Sequence, residues 1–143
     1  MSYNLFLDDI RTPSQVKWIA LPLVEWIVVR NFDQFKGYIM LHGIPTRVSF
    51  DHDLAPEHYN PSIDWTKPLT CSSEPTGYDC VKWLIDYCQE HSVEFPEYYL
   101  HTLNDAGKKN MESYIRSFAK SKQIKAEEQK RIATDVRNYL EEQ

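Results

Sequence analysis

Cysteine is scarce in this 143-residue chain: three residues, Cys71, Cys80 and Cys88, with no CxxC pair. An odd count without paired spacing argues against a disulfide framework or a zinc site. Cys80 and Cys88 fall on a predicted helix, where cysteine serves as a small apolar core residue. Long hydrophobic runs are missing too, and nothing approaches the roughly 18 to 20 residues that a membrane helix needs. The opening "MSYNLFLDD" reaches acid at Asp8, which is not a basic-then-apolar export signal, so a cytoplasmic protein with no membrane partner is expected. Basic excess is also lacking. The formal net charge is −5, whereas proteins that grip extended duplex nucleic acid show a basic surface. A small phosphorylated molecule or a single RNA end remains compatible, because one site can be positive on an acidic protein.

What is present is an average soluble composition, 42% hydrophobic and 26% charged. That argues against disorder, collagen and coiled coil. The length suits one domain with its own core, residues 1–143. "YNLFL" (3–7), "EWIVVR" (25–30), "RVSF" (47–50) and "EYYLHT" (97–102) read as strands. Pro13 and Pro22 argue against a helix between the first two. Asn31 is a predicted N-cap for a helix carrying Phe32, Phe35 and Ile39, ended by Gly43 and Pro45. Val81, Leu84, Ile85 and Cys88 mark a second helix from Thr76. A third is expected over 105–120, with Met111, Tyr114, Ile115 and Phe118 inward. A last one is expected near 125–141, where Ile132, Val136, Tyr139 and Leu140 share a stripe. Residues 54–75 carry four prolines and no periodicity, and a loop of that length suggests a lid or binding loop; Tyr59, Pro61 and Trp65 in it offer stacking surfaces for a base. Residues 122–143 form a C-terminal helical extension.

Strands alternating with helices predict an α/β domain: a mostly parallel sheet of about four strands with flanking helices in three layers. Ligands of such sheets bind outside the carboxyl ends of the strands. Three polar groups lie there: Asp8-Asp9, Asp51-His52-Asp53 and His101-Thr102. Four carboxylates in one place repel one another and require protonation, cationic partners such as Arg11, Arg30 or Arg47, or a metal. Oxygen-rich groups suit Mg²⁺, Mn²⁺ or Ca²⁺ rather than zinc. Asp8, Asp9, Asp51 and Asp53 are the candidate metal ligands, and His52 and His101 are candidate acid–base groups. Alternation along an extended strand would put Asp51 and Asp53 on one side and His52 on the other. "TGYD" (76–79) and "HTLNDAGKKNM" (101–111) each open a helix. Gly77 would either let N–H groups approach a phosphate or sit in a cap made by Thr76 and Asp79.

The blocks "LFLDDIRTP", "SFDHDL", "TGYDCVKWL" and "HTLNDAGKKNM", in this order, resemble the cyclic-phosphate processing receiver domain family. The resemblance spans residues 5–111 and implies a modified receiver, similar to flavodoxin-like domains. It implies processing of cyclic phosphates on RNA ends or nucleotides, in RNA repair or phage–host conflict. Carried across, it points to Asp8, Asp9, Arg11, Asp51, His52, Asp53, Thr76, Asp79, His101, Asn104, Gly107 and Asn110. A signalling receiver would also need a lysine at the end of a fifth strand, and no apolar strand follows residue 120. Ala55 stands where the family often has glycine. The expected activity is a phosphoesterase assisted by Mg²⁺ or Mn²⁺, with Asp51, His52 and His101 catalytic. Arg11, Thr76, Gly77, Asp79, Thr102, Asn104, Gly107 and Asn110 would bind substrate. The alternatives are a non-catalytic cyclic-nucleotide or protein-binding module and a phospho-accepting receiver.

Overall fold

The computed structural model describes residues 2–54 and 75–142. Among the described residues the β-branched and aromatic runs form four strands: β1 (Asn4–Leu7), β2 (Ile27–Val29), β3 (Arg47–Phe50) and β4 (Glu97–Leu100). All pairings are parallel, in the order β2-β1-β3-β4. The second and fourth strands are shorter than the apolar runs suggest, so His101 and Thr102 fall just beyond β4. Both faces of the two central strands are covered. Leu5, Phe6, Leu7, Val48, Ser49 and Phe50 have no exposed surface, as befits a parallel sheet.

The strand order determines where a site can form. From β1 the chain moves to one edge to make β2; from β2 it crosses back to β3 and then to β4. Right-handed connections in opposite directions lie on opposite faces. Segment 8–26 therefore covers one face, and the helices α1 (Phe32–His42) and α2 (Gly77–Glu90) cover the other. Side-chain burial agrees. Leu5, Leu7, Val48, Phe50 and Leu100 share one cluster with Phe35, Ile39, Leu84 and Met111. Phe6 instead meets the rings of Trp26 and His101. The third layer is thus non-helical chain with a single 3₁₀ turn at Pro13–Gln15. The strand ends of β1 and β3 flank the switch point, where doubly wound folds open a crevice. This is a receiver-like α/β architecture.

Local signals account for the helices. The Asn31 side chain accepts the Gln34 N–H at 2.8 Å, and Gly43, at φ 84°, ends α1. Val81, Leu84, Ile85 and Cys88 are buried on α2, and Cys80 and Cys88 are free and buried, as core filling requires. The expected break near residue 120 is absent. A single helix, α3 (Asp105–Glu141), runs through it. Residues 119–124 contain neither glycine nor proline, so nothing there stops a helix. Ile132, Val136, Tyr139 and Leu140 are correspondingly exposed rather than packed on the domain. The long loop, with Tyr59, Pro61, Trp65 and Cys71, lies outside the described residues except at its ends. Among the described residues no helix is long and apolar enough to cross a membrane.

Candidate functional site

β1, β3 and β4 deliver Asp8, Asp51 and His101 to the switch point. One ligand atom from each lies within 4.8 Å of the others, and all three side chains are buried. Asp8 is held from two sides. Its Oδ1 accepts the backbone N–H groups of Ile10 and Arg11 at 3.0 and 2.8 Å, which turns the chain sharply after β1. Its Oδ2 lies 3.0 Å from His101 Nε2 and 3.6 Å from an Arg11 nitrogen. Burial raises the Asp8 pKa, but the His101 bond and the two N–H groups together hold it below the usual carboxylate value.

An ionised Asp8 only accepts, so His101 Nε2 carries the hydrogen. Burial also pushes the His101 pKa down, against the pull of Asp8, so the ring is neutral. Its Nδ1 then accepts the Ser49 hydroxyl at 2.7 Å. The ring stacks on Phe6 at 4.5 Å, and the Trp18 indole N–H donates to the His101 carbonyl at 2.6 Å. Both ring nitrogens are therefore engaged and the ring cannot swing.

Asp51 has the opposite balance. Burial, then the negative charge of Asp8, raises its pKa to about 7. The His52 N–H at 2.9 Å, the Thr102 hydroxyl and Arg11 only partly offset them. Two buried carboxylates that resist joint ionisation are what a cation between them would relieve. The donor set of two carboxylates beside an imidazole suits a divalent ion such as Mg²⁺ or Mn²⁺. Asp8 and Asp51 would hold it, with His101 bracing Asp8 from behind.

A second group forms one residue along. The chain bends at His52, so the strand alternation that would place Asp53 beside Asp51 ends at Phe50. Asp53 turns instead to His52, whose Nδ1 lies 3.0 Å from its Oδ1. The Asn104 amide reaches the same Nδ1 and Oδ1, each at 3.3 Å. Asn104 also caps α3 by accepting the Gly107 N–H at 2.9 Å. A Cβ on Gly107 would sit 2.5 Å from the His52 ring, so glycine there makes room for the histidine.

The expected set of four carboxylates thus divides. Asp8 and Asp51 converge, Asp53 joins His52, and half-buried Asp9 is not in the group of converging ligand atoms. Thr102 and Arg11 adjoin the first group. Thr76 and Asp79 form a capping box on α2, with the Thr76 N–H at 2.8 Å from Asp79 Oδ2. The Gly77 N–H donates to the His52 carbonyl at 2.8 Å, and a Cβ there would lie 1.8 Å from the Asp51 carbonyl oxygen. Gly77 therefore permits α2 to touch the end of β3, with its N–H already engaged. Asn110 is exposed on the second turn of α3.

Two contributors, Ser49 and Trp18, carry no obvious mark in the sequence, and Arg30 acts otherwise than expected. Ser49 is the one polar residue among the three buried positions of β3, which is a weak signal. Trp18 lies in an aperiodic segment. Arg30 donates to the carbonyls of Asp8 and Arg11 at 3.2 and 2.7 Å, pinning the turn that carries both; it binds backbone rather than a carboxylate. Arg47 pairs with Glu97, at the other end of the sheet.

No curated protein and no solved structure matches the chain. A family model described as the cyclic-phosphate processing receiver domain matches residues 3–117, which include every element of both groups. On a match across that much of its length, the chain belongs to the cyclic-phosphate processing receiver domain family.

Proposed function

We propose that this domain is a phosphoesterase that opens a cyclic phosphate, on an RNA 2′,3′-cyclic end or a cyclic nucleotide, with Mg²⁺ or Mn²⁺ held by Asp8 and Asp51. The observation that carries this reading is the convergence of Asp8, Asp51 and His101 within 4.8 Å at the switch point. The ion supplies Lewis-acid polarisation of the phosphoryl oxygen. Arg11 keeps its guanidinium beside Asp8 and over the Trp18 ring, 5.1 Å from its centre, a position from which it can hold phosphate oxygens. In the reaction, water adds to phosphorus, one ring P–O bond breaks, and the departing oxygen takes up a proton. His52 is assigned the proton transfer. Its Nδ1–H donates to Asp53 Oδ1, which also accepts the Asn104 amide N–H, and that leaves Nε2 for the work. His101, with both nitrogens engaged and no exposed surface, serves as a positioning residue.

The test is hydrolysis of 2′,3′-cyclic nucleotides, cyclic-phosphate RNA ends and cyclic dinucleotides, in Mg²⁺ or Mn²⁺ and again in EDTA. Turnover that EDTA abolishes is expected. Ligand bound tightly and recovered intact would make the domain a sequestering module, and turnover unaffected by EDTA would remove the metal from the mechanism.

A further inference from the structure

Trp18 lies in the aperiodic segment between β1 and β2, yet its indole meets the candidate site twice. The ring N–H donates to the His101 carbonyl at 2.6 Å, and the Arg11 guanidinium lies over the ring, 5.1 Å from its centre. The first contact anchors the indole to the end of β4, and the second makes it a platform for Arg11. The Arg11 backbone is fixed independently. Its carbonyl accepts from Arg30 at 2.7 Å, and its N–H donates to Asp8 at 2.8 Å. Both ends of the arginine are therefore held, one by the turn after β1 and the other by Trp18. The indole is still 39% exposed, so filling the core does not account for a tryptophan here.

The other neighbours of Arg11 leave its donors unused. One guanidinium nitrogen lies 3.6 Å from Asp8 Oδ2, too far for a hydrogen bond, and that oxygen is already bonded to His101 at 3.0 Å. Among the described residues the guanidinium donates no hydrogen bond. A guanidinium carries five N–H donors, and two of them can grip two oxygens of one phosphate at once. A cyclic phosphodiester presents two non-bridging oxygens for such a grip. An arginine free in solvent loses rotamer entropy when a ligand orders it, and an arginine already held on a ring loses less. We propose, resting on the reading of this site as a cyclic phosphoesterase, that Trp18 is a positioning residue. It preorganises Arg11 to take the non-bridging oxygens of the cyclic phosphate.

Trp18→Leu and Trp18→Phe, made in the full chain, test this. Both lose the N–H bond to His101, so the difference between them isolates the ring. Arginine ¹H–¹⁵N spectra read the stacking without turnover. The Arg11 Nε–H signal, assigned by its loss in Arg11→Lys, should be shifted upfield by the indole in the wild type. It should stay shifted in Trp18→Phe and return to the ordinary position in Trp18→Leu. On 2′,3′-cyclic AMP in Mg²⁺, Trp18→Leu should raise KM by ~10-fold with kcat nearly unchanged, as expected for lost binding common to ground and transition states. Trp18→Phe should recover most of that loss. In an Arg11→Lys background, Trp18→Leu should change KM by less than ~2-fold, because the two residues act as a unit. An unshifted Arg11 signal in the wild type, equal losses in the Leu and Phe variants, or full additivity with Arg11→Lys would each overturn the proposal and leave the phosphoesterase reading standing. If no cyclic phosphate turns over, that reading falls, and calorimetric affinity for 2′,3′-cyclic AMP takes the place of KM. The same loss and recovery would then uphold the role of Trp18, and their absence would overturn it.

Discussion

His101 and His52 both follow a strand end and both touch an aspartate, yet they have opposite designs. His101 is sealed: stacked on Phe6, bonded at both nitrogens, its carbonyl held by Trp18. His52 is partly exposed, backed by a glycine and oriented at one nitrogen. A ring without freedom suits holding a carboxylate in place. A ring with one nitrogen left over suits moving a proton. The two rings differ in how many bonds hold them, not in the kind of neighbour they touch.

The largest way to break the comparison is to remove the sealed ring. His101→Ala leaves a cavity and deprives the buried Asp8 Oδ2 of its histidine donor, so urea denaturation should show a loss of roughly 3 kcal/mol or more. The same change at His52 should cost under about 1 kcal/mol, and turnover should instead fall by about 10²–10⁴.

Asp51 should respond next. Its folded-state pKa of about 7 lies above the ordinary value of 3.8, so the metal-free folded protein binds more protons between them. Its contribution is favourable below about pH 4 and is lost as pH rises to about 7. Asp51→Asn should therefore stabilise the metal-free protein at pH 8, by on the order of 2 kcal/mol, as read by thermal unfolding. It should also abolish stabilisation by Mg²⁺, and a wild-type protein with no response to Mg²⁺ or Mn²⁺ would sever Asp51 from a cation site.

Ser49→Ala is a smaller intervention, removing the hydroxyl that His101 Nδ1 accepts, at about 1–2 kcal/mol. Histidine ¹⁵N spectra should show the Nε2–H form of His101 in the wild type and an altered balance in the variant. The mildest is Gly107→Ala. Helix propensity favours it by up to about 1 kcal/mol, but the new Cβ displaces the His52 ring, so stability should change little while turnover falls.

Much of the frame was legible. Strand runs, Asn31, Gly43 and the α2 periodicity are local signals, and the carboxylates at strand ends followed from alternation plus the parallel-sheet rule. The division of the acids was not legible. Alternation relates Asp51 to Asp53 only while the strand lasts, and the strand stops at Phe50. Ser49, Trp18 and Arg30 act through partners 52, 83 and 19–22 residues away in the chain, and no local pattern encodes such partnerships. The continuity of α3 was readable in the missing glycine and proline, although the apolar stripe suggested a separate packed helix.

By itself the sequence determined the strands, the helix caps and the acids waiting at the strand ends, because each depends on neighbours a few residues away. Tertiary structure alone decided that Asp8 and Asp51 meet beside a locked His101 while Asp53 turns to His52. Where a side chain points after its strand ends depends on turns and contacts that only the folded chain brings together.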